Sequence, residues 1–282
     1  MIERSELAQA ARAAGADVFG VADVERFDEL APERRPAAIF PEARSVIVLG
    51  RRIPRGALRG VEEGTNFSNY HLYGLDWLDN RFTSLTTVQV AEWLEDRGWE
   101  AVPLPNLPPE VPPMGVSVRP GAPEPNVLLD ADDAAVRAGV GEIGYPGVLL
   151  TPEFGPRQRI QMILTDAEIE PSPILAEPIW PEDNRCEGLC PLGALVGEKT
   201  ITICGKTMTV AEIDYARCRA CKNGATPNRQ HPAGKPDRIA AVCIRSAMDV
   251  LEKAGRVGNR FATPFRTREA WTVERDADLF KV

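Results

Sequence analysis

Long apolar runs are missing from this chain. No stretch of the 282 residues approaches the ~20 apolar residues of a membrane span, so no spanning helix is expected. The opening Met1-Ile2-Glu3-Arg4-Ser5-Glu6 is charged and lacks the apolar core and cleavage site of a secretion signal, which makes the cytoplasm the expected compartment. A basic excess is missing too. There are 33 Lys and Arg against 41 Asp and Glu, a net charge of −8, whereas general nucleic-acid or anionic-membrane binding needs a basic face. Histidine is scarce: His71 and His231 are the only two, too few for a histidine-based metal site or triad. No phosphate-binding loop and no Gly-x-Gly-x-x-Gly run occurs, so a nucleotide-cofactor Rossmann domain has no support. Cysteine is absent from the first 185 residues, and all six cysteines follow.

What is present suffices for a folded core, with 44% hydrophobic and 26% charged residues. Residues 5–14 read as a helix that Ser5 can cap and Gly15 can stop. Asp17-Val18-Phe19-Gly20-Val21 and Ser45-Val46-Ile47-Val48-Leu49-Gly50 read as strands, the second as a buried one. Leu75, Leu78, Phe82, Leu85 and Val88 recur at helical spacing, which predicts a long helix or a broken pair over 69–97 with that stripe inward. Short strands follow at 99–102 and 160–165. Proline is dense from Pro103 to Pro125, which excludes regular structure and leaves a rigid surface loop or a loop lining a ligand pocket. Residues 130–140 read as a helix with Asp130, Asp132 and Asp133 at its positive end, where acids suit the dipole. A second proline-rich stretch, from Glu170 to Pro181, marks the expected boundary between domains at 1–170 and 171–282.

The cysteines carry the strongest chemical signal. Cys186-Glu187-Gly188-Leu189-Cys190-Pro191 matches the tail of the bacterial ferredoxin run Cys-x2-Cys-x2-Cys-x3-Cys-Pro, and Cys218-Arg219-Ala220-Cys221 adds a Cys-x2-Cys pair. In two-cluster ferredoxins the cysteine before proline serves the other cluster, so Cys190 is expected to join Cys218 and Cys221, with Cys186 or Cys243 as the fourth ligand. One 4Fe–4S cluster is the expectation, with a four-thiolate zinc site as the alternative. Cys204, in Ile203-Cys204-Gly205-Lys206, lies at the expected turn of a β-hairpin and reads as structural. Cys243 lies on a helix, in line with Ile239, Ala247 and Val250, where a buried inert thiol is the competing reading.

Most of the chain resembles the iron–sulfur family that includes epoxyqueuosine reductase and the corrinoid-dependent reductive dehalogenases. The resemblance rests on Ala138-Gly139-Val140-Gly141-Glu142-Ile143-Gly144, then Thr151-Pro152-Glu153-Phe154-Gly155-Pro156-Arg157, then Thr165-Asp166, then the cysteine motifs. It implies an α+β fold: a nitroreductase-like mixed sheet with helices, followed by a small ferredoxin-like iron–sulfur module. It further implies an oxidoreductase acting reductively on a small organic or nucleoside-like substrate, with cobalamin as a second candidate cofactor and a ferredoxin or flavodoxin as electron donor. A homodimer is compatible with it. The chain departs from the family in having ligands for one cluster instead of two, in placing Tyr145 where epoxyqueuosine reductases carry lysine, and in lacking a clear equivalent of their catalytic aspartate.

Within that frame Gly139, Gly141 and Gly144 are candidate cofactor contacts, since glycine permits close backbone approach. Tyr70, in Asn69-Tyr70-His71-Leu72-Tyr73-Gly74, is a fourth. Tyr145 and Arg157 flank the glycine run and are the candidate proton donor and anion binder. Packing for Tyr145 and a surface ion pair for Arg157 are the plain alternatives. An electron-transfer or corrinoid-binding partner protein, and a zinc-stabilised binding module, are the alternative functions.

Overall fold

The computed structural model describes residues 2–181 and 189–271. Its centre is a four-stranded antiparallel sheet in the order β1-β2-β6-β3, formed by β1 (Val18–Asp23), β2 (Ser45–Arg52), β3 (Ala101–Leu104) and β6 (Gln158–Thr165). Between β3 and β6 lies a two-stranded sheet of β4 (Glu142–Ile143) and β5 (Leu149–Leu150). β7 (Leu195–Ile203) and β8 (Lys206–Ile213) form a hairpin. Cys204 and Gly205 at its tip have φ of 49° and 79°, the left-handed pair that suits the twist of a two-residue turn. The expected hairpin is therefore present, with Cys204 at its turn.

Alternation along β2 sends Val46 and Val48 to one face and Ile47 and Leu49 to the other. The first face is covered by α5 (Ala131–Arg137) and by Ile203, Met208 and Val210 of the β7–β8 hairpin. The second is covered by α1 (Arg4–Ala13), through Leu7 and Ala11, and by α4 (Ser84–Glu95), through Val90, Ala91 and Leu94. The hairpin of the last third thus packs into the core of the first sheet. α1 begins one residue before the expected cap: Glu3, not Ser5, holds the N-cap position, without a side-chain bond.

The long helix carries the main surprise. It runs from the short α2 (Arg59–Glu62) through a turn to α3 (Ser68–Tyr70), widens into two π-helical stretches at His71–Asp76 and Leu78–Thr83, and tightens into α4. A wide turn inserts residues into the 3.6-residue period and rotates the helix beyond it. Phe82, Leu85 and Val88 accordingly face outward, at 39%, 54% and 42% exposure, so the expected inward stripe holds at Leu75 and Leu78 and fails beyond them. Thr83, Thr86 and Thr87 are buried in their place. Their hydroxyls bond back to carbonyls, Thr87 to Thr83 O at 2.9 Å and Thr83 to Leu78 O at 2.7 Å, which makes that burial tolerable.

Two further helices complete the fold, α6 (Tyr215–Arg219) and α7 (Val242–Lys253). No described helix is long and apolar enough to cross a membrane. α7 is tied to the first part of the chain by Arg245 against Glu62, both 2% exposed, and by Arg55 to Glu252 at 2.9 Å.

Candidate active site and cysteine cluster

The π-helical stretches leave carbonyls free, and β6 answers them with polar side chains. Arg159 Nε donates to Gly74 O at 2.8 Å, and Gln161 Nε2 to Asp79 O at 2.9 Å. Gly74 must be glycine, because a Cβ there would stand 2.5 Å from the Tyr70 ring. Arg159 Nη2 also donates to Tyr70 Oη at 2.8 Å and pairs with Asp237 Oδ2 at 3.1 Å, while the Tyr70 hydroxyl donates to the same carboxylate. Burial, then the Asp237 charge, pushes the Tyr70 phenol well above its ordinary range, against the opposing pull of Arg159.

Arg159 and Asp237 of this group line a cavity of ≈ 340 Å³, with Tyr70 behind them. One wall is β5 with Gly147 and Val148; another is Asp130 and Asp132 of the α5 start; the rim is residues 106–110 facing 227–230 and 235–239. Asp130 caps α5, accepting from Asp132 N at 3.0 Å and Asp133 N at 3.2 Å. Asp133 turns back to Arg137 at 2.6 Å. That leaves Asp132 directed to the cavity. Burial, with the Asp130 carboxylate beside it, raises its carboxyl to about 7, against the opposing pull of Lys235 and Arg159. Burial also raises the Asp79 carboxyl at the opposite wall. At the rim Glu110 accepts from the Lys235 backbone N–H and stands 3.9 Å from its Nζ. The proline-rich segment thus answers to both expectations: 106–110 line the cavity, while Val116 and Val118 further on are 81% and 79% exposed.

The cysteines meet through local wiring. Cys190 opens a turn in which Gly193 N donates to its carbonyl at 3.0 Å and Ala194 N to its Sγ at 3.3 Å. Ala194 O then accepts from Asp214 N at 2.8 Å, and Asp214 caps α6, which carries Cys218. Cys221 follows one turn on, its N–H donating to Cys218 O at 3.1 Å. Asn223 O accepts from Val242 N at 2.9 Å and so sets the start of α7, where Cys243 sits in the first turn. Cys190, Cys221 and Cys243 lie within electrostatic reach of Cys218, and Cys190 and Cys221 within reach of Cys243. Burial, then the other three thiols, pushes Cys218 up to about 11, and Arg238 opposes this. Burial also raises the Cys243 thiol, again against Arg238. Cys186 lies outside the described residues. Among the described residues no three of His, Cys, Asp and Glu gather tightly enough to hold a single metal ion.

The other sequence expectations fall elsewhere. Tyr70 stands behind the cavity, against its two partners there. A Cβ on Gly139 would meet Pro173 O at 2.0 Å, on Gly141 Leu150 O at 1.9 Å, and on Gly144 the Leu150 side chain at 2.3 Å. These glycines admit neighbouring chain, and the neighbouring Gly147 is the glycine that lines the cavity. Tyr145 is buried among Leu150, Ile179 and Trp180. Arg157 is buried as well, donating to Ile53 O at 3.0 Å and Asn259 Oδ1 at 2.8 Å, and burial lowers it to about 10. Neither of the two is among the cavity-lining residues. Asp132, Arg159, Asp237 and Arg238 are the functional candidates that sequence reasoning missed. An arginine inside a buried strand, at Gln158-Arg159-Ile160-Gln161, is the signal that points to Arg159.

Solved structures with a similar fold are known. A catabolic reductive dehalogenase superposes with a TM-score of 0.51 at 13% identity, covering 95% of this chain and 41% of that one. A reductive dehalogenase described with a mechanism for B12-dependent dehalogenation gives 0.50 at 17%, covering 93% and 40%. The chain shares its fold with about two fifths of each of these structures. Epoxyqueuosine reductase from Streptococcus thermophilus gives 0.48 at 18%, over 68% of this chain and 53% of that one. In sequence, 68 residues are 38% identical to the tetrachloroethene reductive dehalogenases of Desulfitobacterium hafniense and Dehalobacter restrictus, a match spanning 23% of this chain and 12% of theirs. No protein-family model matches. The resemblance to the epoxyqueuosine reductase and reductive dehalogenase family is borne out.

Proposed function

We propose that this chain is an iron–sulfur reductase whose cavity takes a small organic molecule and whose cysteines hold one 4Fe–4S cluster. The observation that carries the reading is the grouping of Cys190, Cys218, Cys221 and Cys243, on two of which Arg238, a cavity-lining residue, also acts. The residues fit such a group. Its inorganic cage stands between its thiolates, so it asks for a wider ring than the ~2.3 Å bonds of a single zinc ion do. The Ala194 N–H directed at Cys190 Sγ is a donor of the kind that supports a thiolate. Cys186 is a further candidate ligand. When bound, the cluster supplies one-electron transfer, and a ferredoxin- or flavodoxin-type donor supplies the electrons.

In the cavity, Asp132, its carboxyl raised to about 7, is part protonated at neutral pH and can present that proton to the substrate. Arg159, fixed by Asp237, Tyr70 and the Gly74 carbonyl, orients the substrate's polar end. The overall change is a reductive cleavage: two electrons and one proton enter, a carbon–hydrogen bond replaces the bond to the leaving group, and that group departs with its electron pair. A volume of ≈ 340 Å³ suits a small organic molecule. A corrinoid is larger than this, so no step is assigned to one; its support is the fold alone, and its entry would require the rim between 106–110 and 235 to part.

Anaerobic purification of the full chain, with iron, sulfide, zinc and cobalamin assays, tests the reading. Iron and sulfide near four each per chain, with visible absorption that dithionite bleaches, is the expected result. Zinc without iron overturns it in favour of a binding module. An intact cluster in a chain that reduces no halogenated or epoxide substrate, with or without added cobalamin, leaves an electron-transfer partner instead.

A further inference from the structure

The outward side of α4 is apolar in its middle and oppositely charged at its two ends. Leu85, Val88 and Glu92 recur on one side of the helix, at i, i+3 and i+7, and all three are exposed. Phe82 stands exposed beside Leu85. Arg81, one wide turn before Leu85, is exposed too, its guanidinium 5.0 Å from the Trp77 ring. The exposed Tyr73 meets the edge of Trp77 at 5.7 Å and prolongs the apolar strip toward α3. Single exposed apolar side chains are ordinary, but a continuous strip of them marks a contact surface. Among the described residues Arg97 pairs with Glu6 at 3.3 Å, while Arg81 and Glu92 have no ion-pair partner. Read along the helix, the strip runs positive, apolar, negative. That order is complementary to itself when one copy is reversed.

We propose that this side of α4 is where two copies of the chain meet, packed antiparallel about a two-fold axis at the level between Thr86 and Thr87. Such a contact is isologous, the same patch serving both copies. It sets Leu85 against the partner's Val88 and Arg81 against the partner's Glu92, and the symmetry repeats each pairing. Burial of the apolar centre supplies the affinity. The end charges supply the orientation: an exposed ion pair is worth little, but a parallel arrangement would set Arg81 against the partner's Arg81 and Glu92 against the partner's Glu92. The same continuous helix carries Leu75, Asp76 and Asp79 to the cavity. The second copy therefore braces, from outside, the helix whose π stretches wall the cavity.

Sedimentation velocity of the anaerobically purified full chain, over a series of concentrations, measures the association. The wild type is expected to sediment at micromolar concentration as a dimer, with twice the 30.8 kDa mass of the chain. Leu85→Glu places a carboxylate in the apolar centre and raises the dissociation constant at least a hundredfold. Arg81→Glu and Glu92→Arg each set like charges together at both ends and raise it at least tenfold. Should Leu85→Glu misfold, these two exposed charge variants carry the test. The double variant Arg81→Glu/Glu92→Arg reverses both pairs and returns to within threefold of wild type. An equimolar mixture of the two single variants does the same, as a heterodimer. A monomeric wild type overturns the proposal, whether or not another protein is found on this surface. A dimer that Leu85→Glu leaves intact overturns it too, since the copies then meet elsewhere. Charge variants that weaken the dimer without rescuing one another also overturn it. Arg81, Leu85 and Glu92 are not among the cavity-lining residues, and iron content reports the reductase reading separately, so either can fail alone.

Discussion

Replacing Asp132 with asparagine isolates the charge of the cavity carboxyl while keeping its size and its acceptor toward the Leu149 N–H. In the unfolded chain this carboxyl titrates near 3.8, and in the fold near 7. A raised acid costs stability when ionised: nothing well below pH 4, a growing penalty from there to pH 7, and a constant one above. The full shift corresponds to roughly 4 kcal/mol. The side chain is only half-buried and opens on the cavity, so screening reduces this to about 2 kcal/mol. Asp132→Asn is therefore expected to raise the melting midpoint by about 4–6 °C at pH 8, less at pH 5, with a plateau above pH 7.5. Paired melts of wild type and variant at one scan rate from pH 5 to 8.5 measure it. In the same variant reductive turnover falls at least a hundredfold, because the proton donor is gone. A stability difference that does not change with pH, or a variant less stable than wild type at pH 8, would refute the assignment of a protonated Asp132.

Three other outcomes are expected from the geometry. Asp237→Ala strands the Arg159 guanidinium among groups only 11% and 13% exposed; with Gly74 O and Tyr70 Oη still bonded, the cost is about 2–3 kcal/mol, and a double-mutant cycle with Arg159→Met recovers most of it in urea unfolding. Gly141→Ala drives a Cβ to 1.9 Å from the Leu150 carbonyl and is expected to lose about 3 kcal/mol or more, seen as lost soluble yield, whereas Gly56→Ala meets nothing within 4 Å and is neutral. Cys218→Ser and Cys221→Ser lower bound iron at least twofold, while Cys204→Ser, at the hairpin tip, leaves it unchanged; iron per chain decides.

The strands and the hairpin were legible because their cues are local. Ser45-Val46-Ile47-Val48-Leu49-Gly50 is a buried strand by composition, and Cys204-Gly205 is a turn because two adjacent residues must take positive φ. The long helix was legible in extent and misread in phase. Its two π stretches are stabilised by Arg159 and Gln161 from β6, partners more than seventy residues away, so no local period reveals them. The glycine run was legible as a place where Cβ atoms are excluded, but what excludes them is Leu150 and Pro173, brought near by the fold. Asp132 was read as a dipole acid because its neighbours Asp130 and Asp133 do cap and pair within α5.

Residue type and spacing alone placed close pairs of thiols in Cys-x3-Cys-Pro and Cys-x2-Cys patterns at the C-terminal end, and chain stiffness limits how far apart such close pairs can lie. Tertiary structure alone decided that Cys243 comes near the close pairs, which glycine faces the cavity, and that Tyr145 and Arg157 pack away from the cavity while Arg159 and Asp132 line it. Arg157 stands just before β6 and Arg159 is its second residue, so two steps along the chain exchange Ile53 and Asn259 for Gly74, Tyr70 and Asp237, partners set by elements the local sequence does not contain.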